Sequence, residues 1–193
     1  MPGSSLWLLP PPNHPLNGVL FSLIQEVASH FDSPHLFLPH VTLTTDIDPS
    51  IYGTKSQNWL DSIELPKATE VQVKFDHLNS EDVFFRKLYV KVVREGVATL
   101  GEMARKHVDG FSGEDVARKW VDGEYVPHLS LLYHDCAKLE DEELEEINKL
   151  AIEHGLSLEG EGDFGSWQGG RVVLVPTDRP IKEWEPIAER LLL

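Results

Sequence analysis

Residues 39–44 read Pro-His-Val-Thr-Leu-Thr, and residues 127–131 read Pro-His-Leu-Ser-Leu. Both segments alternate apolar and polar residues, which is typical of a half-buried strand. Residues two apart in a strand project from the same face, so each histidine shares a face with the hydroxyl residue that follows it by two positions. The residues between them then enter the core. Each segment therefore predicts a strand that presents an imidazole beside a hydroxyl: His40 with Thr42, and His128 with Ser130.

The shared sequence context of the two segments makes the paired match more specific than either match alone. The chain contains nine histidines, and hydroxyl residues are common, so a single His-x-[Ser/Thr] match would carry little weight. Here a proline precedes each histidine, apolar residues follow it, and each segment comes after a predicted strand and a predicted helix. We therefore expect two similar lobes, each contributing one histidine strand to a shared cleft.

Paired imidazoles beside hydroxyls suit the hydrolysis of a phosphodiester. An imidazole has an ordinary pKa of about 6.5, so near neutral pH one ring can take a proton from water while the other protonates the leaving oxygen. The hydroxyls can donate hydrogen bonds to the non-bridging oxygens, where charge increases in the transition state. This chemistry needs no metal, no cofactor and no covalent intermediate, and we expect none.

The remaining pattern alternates further strands with amphipathic helices. Apolar residues at positions i, i+3, i+4 and i+7 predict helices, and period-two alternation predicts strands. The expected strands cover residues 6–9, 70–76, 84–93, around 157–164 and 171–175, and the expected helices cover residues 16–31, 95–107, 139–151 and near 180–192.

Charge and length limit the partners. The chain has 193 residues and a formal net charge of −15, from 17 basic and 32 acidic side chains. Binding a long nucleic acid needs clustered Lys and Arg against its phosphates, so this composition argues against such a partner while leaving a small nucleotide possible. The length suits one domain over residues 1–193.

Other features of the sequence indicate a soluble intracellular protein. Cys136 is the one cysteine, which excludes an intramolecular disulfide and a Cys-rich zinc site. The opening segment has no basic region, three prolines interrupt it, and no apolar run is long enough to span a bilayer. We expect a cytoplasmic monomer without a transmembrane segment, and peripheral association with an organelle such as the Golgi remains open.

Two further patterns have simpler structural explanations. Gly160-x-Gly162-x-x-Gly165 matches a dinucleotide-binding fingerprint, but no helix follows it to bind a pyrophosphate, so a glycine-rich turn is favoured. His134-Asp135-Cys136 contains possible metal ligands, but consecutive residues alternate sides of a strand, so no metal site is expected there.

The two motifs, HVTL at 40–43 and HLSL at 128–131, resemble the paired His-x-[Thr/Ser]-hydrophobic signatures of the 2H phosphoesterase superfamily. Within it, LWLLPPP at 6–12, FLPHVTLT at 37–44 and HLSLLY at 128–133 resemble the cyclic phosphodiesterases of fungi and plants. The resemblance covers almost the whole chain. It implies a bilobal α+β fold, with two antiparallel sheets and outer helices around a central cleft.

The resemblance also implies an activity on small cyclic nucleotides. These are ADP-ribose 1″,2″-cyclic phosphate, a by-product of tRNA splicing that is hydrolysed to the 1″-phosphate, and nucleoside 2′,3′-cyclic phosphates, which give 2′-phosphates. The alternatives are a 2H enzyme acting on RNA ends, such as a 2′–5′ ligase-like phosphoesterase, and a nucleotide-binding module without turnover. The scarcity of basic runs argues against the first, and the intact histidines argue against the second.

Carried over to this sequence, the resemblance makes His40 and His128 the acid–base pair and Thr42 and Ser130 the phosphate-binding residues. The family pattern makes the first histidine the acid for the 3′ leaving oxygen and the second the base for water, although the sequence itself does not order them.

Trp7 and Tyr133 match family aromatics that contact the base or the ribose, and packing residues are the alternative for both. Tyr133 lies five positions after His128, so it reaches the catalytic side only if the strand bends or ends near Leu132.

Overall fold

The computed structural model describes residues 3–113 and 115–193 and shows an α+β fold. Within these ranges, the strands are β1 (Ser4–Leu9), β2 (Val41–Ile47), β3 (Gln72–Asn79), β4 (Leu88–Val92), β5 (His128–Leu132), β6 (Ser166–Gln168), β7 (Arg171–Pro176) and β8 (Ala188–Leu191). The α-helices are α1 (Leu16–His30), α2 (Ser56–Ser62), α3 (Ala98–Arg105), α4 (Val116–Gly123) and α5 (Asp141–Glu153).

The strands form one sheet in the order β6-β3-β4-β5-β2-β1-β7-β8, and neighbouring strands run antiparallel. The α+β class and the antiparallel pairing are confirmed. The expected division into two separate sheets is not seen, because β2 and β5 pair through Val41 and Leu129 and so join both halves. Four strands lie on each side of this junction.

The core lies along the central strands and the apolar face of α1. Every residue of β1 is buried, and the strand is paired on both edges, by β2 and β7. Helix α1 buries Leu20, Leu23 and Val27, the residues that its helical spacing placed on one face. Each central strand is thus hydrogen-bonded to a neighbour on both edges, and α1 packs against β5.

Two expected elements were wrong. Residues 157–164 do not form a strand, because Gly160 and Gly162 take positive φ values of 72° and 64° that turn the chain, and pairing with β3 begins only at β6. Residues 180–192 do not form a helix. Pro186 disfavours a helical conformation before it, and β8 instead pairs with β7 at the edge of the sheet.

A third expected element was too long. Residues 84–93 were expected to form one strand, but Phe84–Arg86 is a 3₁₀ turn and the strand begins at Leu88.

As for the helices, none in residues 3–113 and 115–193 is long and apolar enough to cross a membrane.

Candidate active site

The two histidine motifs lie side by side at the middle of the sheet. Residues Val41 and Leu129, each directly after its histidine, are paired across antiparallel strands β2 and β5. In an antiparallel pair, the residue after one partner faces the residue before the other. This register places Thr42 opposite His128 and continues with His40 opposite Ser130. The four predicted groups thus form a two-by-two array around a local two-fold axis.

Each imidazole is held by a hydrogen bond to the backbone carbonyl two residues before it. Nδ1 of His40 lies 2.6 Å from the carbonyl oxygen of Leu38, and Nδ1 of His128 lies 2.7 Å from that of Val126. A carbonyl only accepts, so Nδ1 carries the hydrogen in each ring. In the neutral ring, Nε2 is then free to accept a proton, and in the charged ring it can donate one.

Burial keeps both rings neutral near pH 7. His40 is 4% exposed, and loss of solvation lowers its pKa from 6.5 to about 3, with the backbone bond to Leu38 opposing the shift and a charge on His128 adding to it. Burial also lowers the pKa of His128, and the nearby Arg86 guanidinium lowers it further. A neutral ring can act as a base at once. A ring that acts as an acid must first gain a proton, and a nearby anion favours that charged form.

We expect the depressed pKa of His40 to make folding sensitive to acid. The unfolded chain protonates this ring below pH 6.5 and the folded chain only near pH 3, so stability is lost as pH falls through that window. The cost is about 1.4 kcal/mol per pH unit, or about 2 kcal/mol at pH 5. Urea unfolding at pH 7 and pH 5 measures it. The control is His40→Asn, which keeps a donor for Leu38 but does not titrate. Between pH 7 and pH 5 it should lose about 2 kcal/mol less stability than the wild type. Equal losses in the two proteins would contradict a lowered pKa for His40.

The hydroxyl residues differ in their surroundings. Thr42 is half-buried and lines a cavity of about 210 Å³ together with His128. Ser130 is 5% exposed, and its hydroxyl donates to the carbonyl oxygen of Phe85 at 2.8 Å. Thr42 can therefore meet a ligand in the cavity directly, whereas the proton of Ser130 must turn away from Phe85 to do so.

The two aromatic candidates pack beside the array. Trp7 is fully buried and its ring stacks on His40, with centroids 3.7 Å apart. Strand β5 ends at Leu132, so its alternation of faces does not extend to Tyr133. Tyr133 is buried, stacks on Phe37 with centroids 3.8 Å apart, and has a pKa raised by burial. Ligand contacts by Trp7 and Tyr133 stay predictions.

Several residues around the array were missed from the sequence. Phe37 lies edge-on to His40, and Trp184 lies edge-on to Trp7. Arg86 lines the same cavity as Thr42 and His128. Its one signal in the sequence is a basic residue next to an aromatic pair in an acidic chain, and it lies in a 3₁₀ turn rather than in the strand expected over residues 84–93.

The His134-Asp135-Cys136 segment forms a turn. Nδ1 of His134 accepts a hydrogen bond from the backbone nitrogen of Cys136 at 2.9 Å, which closes the turn after β5. In the part of the chain that the structure describes, no group of three or more His, Cys, Asp or Glu residues is placed to hold a metal ion.

Comparison with known proteins gives consistent matches over the whole chain. The model of a family described as cyclic phosphodiesterase-like protein matches residues 1–192. The chain is 53% identical over 193 residues to the 2′,3′-cyclic-nucleotide 3′-phosphodiesterase of Phaeosphaeria nodorum, and 43% identical over 215 residues to that of Neurospora crassa, with 100% of both chains covered in each case. It is 28% identical to the Yarrowia lipolytica protein of the same name, covering 97% of this chain and 99% of that one.

Proposed function

Because the chain belongs to the cyclic phosphodiesterase-like protein family, we propose that it hydrolyses nucleoside 2′,3′-cyclic phosphates to nucleoside 2′-phosphates without a metal ion. The observation that carries this proposal is the two-by-two array of His40, Thr42, His128 and Ser130, set by the pairing of β2 with β5. Two proton-transfer groups and two hydroxyls on one face suit a reaction in which one oxygen attacks phosphorus and another leaves.

The proposed reaction has one proton transfer at each histidine. Neutral Nε2 of His128 takes a proton from water as the water oxygen bonds to phosphorus. The bond from phosphorus to the 3′ oxygen breaks, and protonated His40 supplies the proton that makes it a hydroxyl. The stacked Trp7 ring supports His40 as the acid, since an aromatic face favours a cation over it.

The remaining predicted residues complete the substrate site. We propose that the hydroxyls of Thr42 and Ser130 bind the non-bridging phosphate oxygens, where charge increases during the reaction. Trp7 and Tyr133 then contact the base or ribose. Trp7 lies beside His40 and Tyr133 directly follows β5, which supports this role. Because both side chains are buried, the contact requires that substrate binding uncover part of each ring.

We extend the proposal to ADP-ribose 1″,2″-cyclic phosphate, hydrolysed to the 1″-phosphate, and hence to the by-products of tRNA splicing. It carries the same reacting group, a cyclic phosphate on neighbouring ribose oxygens, and it is small enough to avoid long contact with an acidic surface of net charge −15. We also propose that the single domain consists of two pseudo-symmetric lobes, supported by the four strands on each side of the β2–β5 junction.

Incubation with 2′,3′-cyclic AMP in the presence of EDTA tests the function. We expect adenosine 2′-phosphate as the product, identified by chromatography against the 2′ and 3′ isomers, with a rate unchanged by EDTA. ADP-ribose 1″,2″-cyclic phosphate is assayed in the same way. The 3′ isomer as product, or loss of activity in EDTA, would contradict the mechanism. Binding without turnover would favour the nucleotide-binding module, and turnover confined to RNA ends would favour the RNA-end enzyme.

A further inference from the structure

We infer that Arg86 is a further catalytic residue, whose guanidinium binds a non-bridging oxygen of the cyclic phosphate and stabilises the charge that develops during its hydrolysis. This inference rests on the proposed function. Arg86 lines the cavity together with Thr42 and His128, so its charge lies beside one proton-transfer group and one proposed phosphate ligand.

The backbone that carries Arg86 is fastened to the second histidine motif. Arg86 ends the 3₁₀ turn Phe84–Arg86. The hydroxyl of Ser130 donates to the carbonyl of Phe85 at 2.8 Å, and the backbone nitrogen of His134 donates to the carbonyl of Phe84 at 3.3 Å. Ser130 in β5 and His134 just after it therefore hold the backbone next to Arg86 in place relative to His128.

The guanidinium is oriented by a chain of hydrogen bonds. Nη2 of Arg86 lies 2.7 Å from Oε2 of Glu81, and Oε1 of Glu81 accepts a hydrogen bond from the Tyr89 hydroxyl at 2.7 Å. The side-chain amide of Asn79 donates to the same hydroxyl at 2.9 Å, and the Tyr89 ring lies edge-on to His128. A cation fixed before the substrate arrives stabilises a transition state without the cost of reorganising.

The ion pair with Glu81 leaves Arg86 donors for a ligand. Nε of Arg86 is buried and has no hydrogen-bond partner among the described residues. An unsatisfied buried donor costs free energy, so a small shift of the side chain that brings it to an acceptor would be favourable. An oxygen of a phosphate group in the adjacent cavity is such an acceptor, and the spacing of phosphate oxygens matches the paired N–H donors of a guanidinium.

The charge balance of the reaction explains why a cation is needed here. The substrate phosphodiester carries one negative charge, and the product phosphomonoester carries up to two. Hydroxyls donate hydrogen bonds but no charge, and the Ser130 proton is engaged by Phe85. Of the described residues that line the cavity, Arg86 alone carries a permanent positive charge and Glu124 supplies a carboxylate, while the chain as a whole repels anions. Arg86 can offset that repulsion where the charge develops.

Arg86→Ala should lower kcat/KM for 2′,3′-cyclic AMP by about 10²-fold, the usual loss when one donor to developing charge is removed. Arg86→Lys should recover part of this loss, since it restores the charge without the fork. Millimolar methylguanidinium should restore turnover to Arg86→Ala and leave wild type unchanged, a response that a purely structural role would not give. The matched control is Arg118→Ala, which removes an exposed arginine on α4 that pairs with Glu102.

The possible results separate this inference from the proposed function. Inactive wild type contradicts the function itself. Active wild type with Arg86→Ala within twofold of Arg118→Ala contradicts only the role of Arg86. Loss of activity in Arg86→Ala together with a lowered Tm and no response to methylguanidinium would also overturn the role, because the arginine would then act through folding.

Discussion

Hydrolysis of 2′,3′-cyclic AMP is expected to fall by about 10²–10⁴-fold in kcat when His128 is replaced by alanine, the range typical for loss of a positioned acid or base. The ring of His128 is held through Nδ1 by the carbonyl of Val126, which leaves Nε2 for the proton of water. Alanine removes that acceptor while the strand remains paired with β4. Steady-state kinetics of wild type and variant under the same conditions measure the loss.

Two further variants show whether the loss is chemical. His77→Ala, at an exposed histidine on β3 paired with Asp76, is the control and should keep wild-type turnover. His40→Ala should be as defective as His128→Ala, and the double variant should lose far less than the product of the two losses, because the residues act as a unit. A His128→Ala variant that keeps more than a tenth of wild-type kcat would contradict acid–base catalysis by this pair.

The strands that carry the site could be predicted because their signal is local. The alternation in 39–44 and 127–131 lies within each segment, and both segments form strands in the structure. Helix α1 was predicted for the same reason. The end of the chain was not, since β8 depends on pairing with β7, and the apolar residues of 180–192 also suit a helix face. Tertiary pairing overrides local preference there.

The site could be predicted only where its residues share a motif. The spacing within each motif places its histidine and its hydroxyl residue on one face of the strand. The pairing of β2 with β5 brings the two motifs together, and no local pattern specifies that pairing. Two contacts place Arg86 at the site: Ser130 donates to the carbonyl of the preceding residue, Phe85, and Glu81 pairs with the guanidinium. The first joins segments far apart in the chain, and the second spans a turn. Its role therefore depends on tertiary structure and was missed.

Trp7→Ala is expected to lower the free energy of unfolding by about 3–5 kcal/mol, the usual cost of truncating a large buried aromatic residue. Trp7 is fully buried in β1, between the ring of His40 and the edge of Trp184. Alanine leaves a cavity in a strand paired on both sides, where the backbone cannot collapse to fill it. Urea unfolding at pH 7, followed by circular dichroism, measures the change in the midpoint and in the extrapolated free energy.

Trp7→Phe separates packing from chemistry, because phenylalanine keeps an aromatic face against His40 and leaves a smaller cavity. We expect a smaller loss of stability than in Trp7→Ala, with a change in KM if Trp7 also contacts the base or ribose. Trp59→Ala, at a half-buried tryptophan on α2, is the control for removal of an indole outside the site and should leave KM unchanged. A loss below about 1 kcal/mol in Trp7→Ala would contradict the packing role. An unchanged KM in Trp7→Phe would contradict contact of Trp7 with the base or ribose. Its one contribution to catalysis would then be the aromatic face stacked on His40.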